Sequence, residues 1–312
     1  MTCFYPVSGF RGPTGGLVMV KSKSPSQIPL TVPCGRCIGC RMTRSRQWAA
    51  RIGHEASLHE ENSFVTLTYN DRNLPDDYSV SVRALQLFLK RLRKKIEPRR
   101  VRFYACGEYG EKTLRPHYHI ILFGYQFPDL VVWRRSPTGF YLYRSEILEE
   151  LWQQKGHCEI GQVTASSGGY VARYCLKKIG GAPAADHYTR LHPLTGEICH
   201  VHPEFATQST RPGIGSTWFD KYERDAFPSD FLVVEGQKVP VPSYYTRKLK
   251  DRYEYDLSEE RAFIPRDDLG PIQRKRKDYA KSNASENTPE RLAIRRECAE
   301  IRSERLTREL DD

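Results

Sequence analysis

Two histidines separated by one residue open the apolar run Arg115-Pro116-His117-Tyr118-His119-Ile120-Ile121-Leu122-Phe123-Gly124. In an extended strand alternate side chains share a face, so His117 and His119 point the same way and Tyr118 the other. Two imidazoles so placed can share a metal ion; a hydrogen-bonded structural pair is the plainer alternative. A carboxylate beside them would suit a hard or borderline divalent cation with positions left open for substrate oxygens. A second set is Cys34-Gly35-Arg36-Cys37-Ile38-Gly39-Cys40, three thiols in CxxCxxC spacing with glycines that permit a tight turn. A closed tetrahedral zinc site needs a fourth ligand, for which Cys3 is the best placed; a reduced cluster and an iron–sulfur site are the alternatives. A third set is Tyr170 and Tyr174, four residues apart, with Lys177 and Lys178 beyond them. On a helix both hydroxyls lie on one face, a pattern that serves either chemistry or aromatic packing.

The elements that must carry these residues follow from local pattern. Ser63–Tyr69 is β-branched and aromatic and predicts a strand, ended by Asn70, Asp71 and Pro75. Ser81 is an N-cap for a helix to about Ile96, with Leu85, Phe88, Leu89, Leu92 and Ile96 on its core face. Val101–Cys106 predicts another strand, and the short polar stretch after it predicts an antiparallel hairpin with the histidine strand. That hairpin brings Glu108 beside His117 and His119, with Glu111 as the fallback ligand. A helix is expected over Arg41–Glu61, another over Ser145–Gln154, and extended chain over Cys158–Val163. The pattern is α+β: an antiparallel central sheet with flanking helices, behind an N-terminal Cys-rich arm. Residues 1–40 form that arm, its first 33 residues read as irregular; 41–244 form the main domain and 245–312 a charged, partly helical tail.

The chain has 49 Lys+Arg against 38 Asp+Glu, a formal charge of +11. Such a field favours a polyanionic partner. From Arg83 to Arg102 nine of twenty residues are basic and only Glu97 is acidic, so Lys90, Arg91, Arg93, Lys94 and Lys95 are candidate phosphate contacts. Arg211-Pro212-Gly213-Ile214-Gly215 could offer backbone N–H groups to a phosphate or form a plain turn. No apolar run reaches the length of about eighteen residues that a membrane span needs, and no signal peptide opens the chain, so an intracellular protein without a membrane partner is expected. The second histidine pair, His200 and His202, lacks an apolar continuation and reads as loop. His54-Glu55-Ala56-Ser57-Leu58-His59 has the wrong histidine spacing for a zinc protease motif. Thr288-Pro289-Glu290 opens a polar helix expected to run to about Leu310.

Taken in order, the strand at Thr66, the carboxylate Glu108, His117-Tyr118-His119, and Tyr170 and Tyr174 with Lys177 resemble the motifs of the HUH superfamily of rolling-circle replication initiators. Tyr118 stands where that family usually has a hydrophobic residue. The strings Pro33–Arg41, Arg115–His119, Tyr170–Tyr174 and Arg211–Gly215 look like one branch, the initiators of gokushovirus-type microviruses, small single-stranded DNA phages. The resemblance covers about Cys3 to Tyr222.

It implies a ferredoxin-like or RRM-like core that nicks one strand of origin DNA in the cytoplasm of an infected bacterium. The enzyme keeps a 5′-phosphotyrosine and leaves a 3′-OH for the host polymerase. Glu108, His117 and His119 would hold Mg²⁺ or Mn²⁺; Tyr174, in its Tyr-x-x-Lys setting, would attack first and Tyr170 second. A free tyrosine has a pKa near ~10, so forming the phenolate at neutral pH costs roughly 4 kcal/mol, which Lys177 and the metal would offset. No Walker A string is present, so unwinding falls to a host helicase. A non-catalytic zinc-containing nucleic-acid-binding protein and an HUH transposase are the competing readings.

Overall fold

The computed structural model describes residues 3–110, 113–136, 139–164, 168–169, 171–172, 183–192, 196–234, 236–258 and 269–304. They divide into two compact units. One contains the residues up to Arg44 with the helices Leu269–Ser282 and Pro289–Glu304; the other runs from Ser45 through the helix Ser243–Ser258.

The first unit corrects the expectation of an irregular arm. Strands β1 (Val7–Arg11), β2 (Leu17–Val18) and β3 (Pro29–Val32) form an antiparallel sheet in the order β2-β1-β3. Its glycines serve the sheet instead of disrupting it. A Cβ on Gly9 would sit 2.5 Å from the Val18 carbonyl oxygen, a backbone approach that only glycine allows. Gly12 and Gly16 close the β1–β2 turn through a 2.7 Å hydrogen bond.

The second unit is built on a seven-stranded sheet of β4 (Asn62–Leu67), β5 (Arg102–Tyr109), β6 (Pro116–Phe123), β7 (Val131–Arg135), β8 (Tyr141–Arg144), β9 (Cys158–Gly161) and β12 (Phe205–Gln208). The order is β12-β5-β6-β4-β9-β8-β7, and every neighbouring pair is antiparallel. This is the expected α+β class. Strands β10 (Thr189–Leu191) and β11 (Ile198–His200) form a hairpin where the sequence reads as loop. Pro193 and Gly196 between them are the residues that give the loop signal.

Helix α1 (Ile38–Ala56) stops before the expected Glu61, and α2 (Val82–Lys95) starts at Ser81, whose hydroxyl accepts from the Ala84 N–H. Helix α3 (Glu146–Leu151) is shorter than the span from Ser145 to Gln154. The sheet has two covered faces. On one, Val65, Leu67, Ala105, Tyr118, Ile120 and Leu122 pack with Leu85, Phe88, Leu89 and Leu92 of α2 and with Leu148 and Trp152. On the other, Phe64, Tyr104, Cys106, Ile121 and Phe123 pack with Ile52, Ile214, Val171 and Ala172. The alternation of β4 and β6 therefore puts Thr66, His117 and His119 on the second face, beyond the edge of its apolar cover. Among the described residues no helix is long and apolar enough to cross a membrane.

Candidate metal centre

The β5–β6 hairpin sets Glu108 opposite His117 and Cys106 opposite His119. Both imidazoles turn Nε2 to one carboxylate oxygen, at 2.9 Å for His117 and 3.0 Å for His119 from Glu108 Oε1. Glu108 is fully buried, and His117 and His119 expose only 12% and 3% of their side chains. Burial opposes ionisation of Glu108, but hydrogen bonds from His117 and His119 outweigh it and draw the carboxyl down to about 2.

The far nitrogens are held as well. His117 Nδ1 is 3.2 Å from the Arg115 carbonyl oxygen, which can only accept, so that nitrogen carries the proton. His119 Nδ1 is 3.1 Å from Thr66 Oγ1, on the strand paired with β6 at that position. Phe64 stacks on the His119 ring at 5.6 Å. A histidine fixed through Nδ1 presents its Nε2 in a set direction, which is how metal-ligating imidazoles are oriented. One atom from each of Glu108, His117 and His119 lies within 4.8 Å of the others. Two nitrogens and an ionised carboxylate fit a divalent cation that keeps open positions.

The cysteines gather too. Cys34 Sγ is 4.0 Å from Cys40 Sγ, and Cys37 Sγ is 3.9 Å from Cys3 Sγ. Zinc–sulfur bonds of ~2.3 Å in a tetrahedron give edges of about 3.8 Å, so these spacings fit a closed Cys₄ site. Burial pushes the Cys34 thiol up, but the backbone N–H groups of Cys37 and Arg36 outweigh it and bring it to about 7. Gly35, at φ 76°, makes the turn. These are the two sets of His, Cys, Asp and Glu side chains that converge among the described residues. His200 instead pairs with Thr189 Oγ1 at 2.9 Å.

A family model for replication-associated protein ORF2 matches residues 62–179. Replication-associated protein VP4 of Bdellovibrio phage phiMH2K is 34% identical over 254 residues, covering 78% of this chain and 76% of that protein. The chain belongs to the phage replication-associated protein family. Replication-associated protein ORF2 of Spiroplasma virus 4 is 32% identical over 238 residues, covering 72% of this chain and 69% of the relative. Replication-associated protein ORF4 of Chlamydia phage 1 is 30% identical over 231 residues, covering 72% and 55%. No solved structure matches. The resemblance to gokushovirus-type proteins is thereby confirmed. Within this replication-associated protein, the family match opens at β4, spans Glu108, His117 and His119, and extends past Tyr174.

Tyr170, Tyr174, Lys177 and the fallback Glu111 lie outside the described residues. The neighbours Val171 and Ala172 are described, have helical backbone, and are buried on the sheet face that bears the histidines. Lys90, Arg93, Lys94 and Lys95 lie on α2, which covers the opposite face, and Lys90, Lys94 and Lys95 are exposed there. Arg91 turns inward, and its Nε donates to the Leu151 carbonyl at 2.7 Å. Arg211 is exposed at the turn that leads to buried Ile214.

Two features of this region are not legible in the sequence. Local pattern places Thr66 in a strand without giving it a role; the register with His119 supplies one. Glu55 is buried and ties three distant segments together. It pairs with Arg102, lies 3.6 Å from His59 and accepts the Gly215 N–H at 2.7 Å. The Gly215 N–H is thus used internally, which makes Arg211–Gly215 a structural turn. Only the unusual Glu in an otherwise basic helix could have signalled it.

Proposed function

We propose that this protein starts and ends rolling-circle replication of a phage genome by nicking and rejoining single-stranded origin DNA. The observation that carries this reading is the convergence of Glu108, His117 and His119 on the sheet face against which Val171 and Ala172 pack, next in sequence to Tyr170. Tyr174 is the first nucleophile and Tyr170 the second. The tyrosine oxygen bonds to phosphorus as the bond from phosphorus to the 3′ oxygen breaks; that oxygen takes a proton and becomes the free 3′-OH. The second tyrosine later repeats the exchange, and attack by a 3′-OH on the phosphotyrosine closes the circle.

Glu108, His117 and His119 hold the divalent ion, Mg²⁺ or Mn²⁺, which when bound supplies a Lewis acid to the scissile phosphate. Thr66 and the Arg115 carbonyl fix the two imidazoles, so the phosphate is met by a prearranged site. Lys177 lowers the cost of forming the phenolate. Residues 41–244 make up the endonuclease domain, and the Cys₄ cluster holds a structural zinc outside it. Its partners are single-stranded origin DNA and the helicase and polymerase of the infected bacterium, in whose cytoplasm it acts.

The test is incubation with single-stranded origin DNA and Mn²⁺ followed by a denaturing gel. A covalent protein–DNA adduct is expected, lost in the double variant Tyr170→Phe, Tyr174→Phe and in His117→Ala. Undiminished adduct from the double tyrosine variant overturns the nucleophile assignment. Salt-sensitive binding without any adduct would favour the non-catalytic zinc-containing reading.

A further inference from the structure

The outer edge of the seven-stranded sheet bears an exposed aromatic that the metal centre does not use. Trp133 on β7 is 50% exposed, whereas Trp152 and Trp218 are buried. Its ring centroid lies 5.9 Å from that of His157, and the Arg144 guanidinium lies 5.1 Å from it. Strict alternation would aim Arg134 and Trp133 at opposite faces. The register of β7 with β8 slips between Val132 and Arg134, and this bulge brings Trp133 to the side of His157. Arg134 is on the same side, where its Nε donates to Glu159 Oε1 at 2.8 Å.

That side is the face of the metal centre. Glu159 on β9 pairs with Thr66 on β4, and Thr66 pairs with His119 on β6. His119, Thr66 and Glu159 therefore form one cross-strand row, and His157, two residues before Glu159, shares its face. At about 4.8 Å per strand, β9 lies roughly 10 Å from β6. Thr66 and Thr68, which lie between, are only partly buried. An open polar strip thus runs from the metal centre to Trp133.

We propose that Trp133, flanked by His157, Arg134 and Arg144, is a base-stacking subsite for single-stranded DNA a few nucleotides from the scissile phosphate. Unpaired bases expose π-faces that stack on such a ring, while adjacent cations meet the backbone. Duplex DNA hides those faces, and the bulge interrupts the regular edge that a second protein strand would need. The subsite rests on the reading that this protein acts on single-stranded DNA, and it adds to that reading the surface that grips the strand.

The experiment is a titration of the full chain with a fluorescently labelled oligo-dT, without divalent metal so that no cleavage intervenes, read by anisotropy and by tryptophan emission. Binding with quenching of emission is expected. Trp133→Ala should weaken binding at least about fivefold, the lower end for one stacked base, and Trp133→Phe should restore most of it. Matched thermal midpoints for the variants establish that they fold; should Trp133→Ala not fold, loss of the oligo-dT quenching in Trp133→Phe carries the test. Wild-type affinity in folded Trp133→Ala, or a changed oligomeric state with unchanged affinity, overturns the subsite. If Trp133→Ala binds weakly but the wild type never forms an adduct on origin DNA, the subsite stands and the nicking chemistry falls. No binding of oligo-dT by the wild type overturns both.

Discussion

Thr66 Oγ1 lies 3.1 Å from His119 Nδ1, across the β4–β6 pair and behind the ring nitrogen that faces Glu108. The hydroxyl thus helps to set the direction in which that imidazole points. Replacing Thr66 with Val keeps the β-branched shape and removes the bond. Mn²⁺ affinity, measured by titration calorimetry, should fall roughly 10- to 100-fold, the range for losing such a supporting group. Unchanged affinity in a folded Thr66→Val chain would show that the hydroxyl has no part in holding the metal.

The four-cysteine set should contain one zinc per chain by elemental analysis. Cys34→Ser should abolish it, and chelation should lower the thermal stability of the unit that holds β1 to β3, because binding free energy of a structural zinc is folding free energy. Iron in place of zinc, or no metal with all four thiols reactive, would refute this assignment.

His54 stacks on Trp218 at 3.5 Å, and its Nδ1 lies 2.9 Å from the Tyr245 hydroxyl. Burial lowers its pKa from 6.5 to about 4. Between those values the unfolded chain binds more protons than the folded one, so stability rises with pH across the window. The contribution is fully present above pH 6.5 and is lost as pH falls through 4. The thermal midpoint should therefore fall between about pH 7 and pH 5 by more in the wild type than in His54→Gln. Equal slopes for the two proteins would remove His54 from the account.

Gly156 precedes β9 where its backbone crosses the end of β4. A Cβ there would stand 2.4 Å from the Thr68 carbonyl oxygen and 2.6 Å from Tyr69 Cα. Both are backbone atoms that cannot rotate away, so Gly156→Ala should cost on the order of 1–3 kcal/mol. Urea denaturation checks this, and a stability equal to that of the wild type would contradict the close approach.

Much of the site could be read from local pattern. The apolar stripe and Ser81 cap of α2 are short-range signals, and so is the polar break that folds β5 back on β6. Glu108 beside His117 follows from that hairpin without further information. The Cys₄ set was legible because CxxCxxC leaves one ligand missing and Cys3 lies nearby in sequence. What could not be read depends on distant pairing. Thr66 acquires a function only once β4 is known to lie beside β6. Arg91 looks like its basic neighbours until the Leu151 carbonyl is placed against it. Trp133 changes face because of one irregular residue in β7, which strict alternation does not foresee. The glycines of β1 to β3 misled for a different reason: composition reads them as flexibility, whereas close packing of backbones requires them.

The order of strands also has a bearing on how this protein assembles. β5, one half of the metal-bearing hairpin, has β6 on one side and β12 on the other, and β12 comes from far downstream, after the tyrosine segment. A nascent chain can close the β5–β6 hairpin early, yet the outer edge of β5 remains bare until Phe205–Gln208 leaves the ribosome. Long-range pairing of this kind is slow to form. Completion of the sheet therefore coincides with a chain that already contains both tyrosines, and a truncated translation product that ended before β12 would lack a fully assembled sheet around its metal-bearing hairpin.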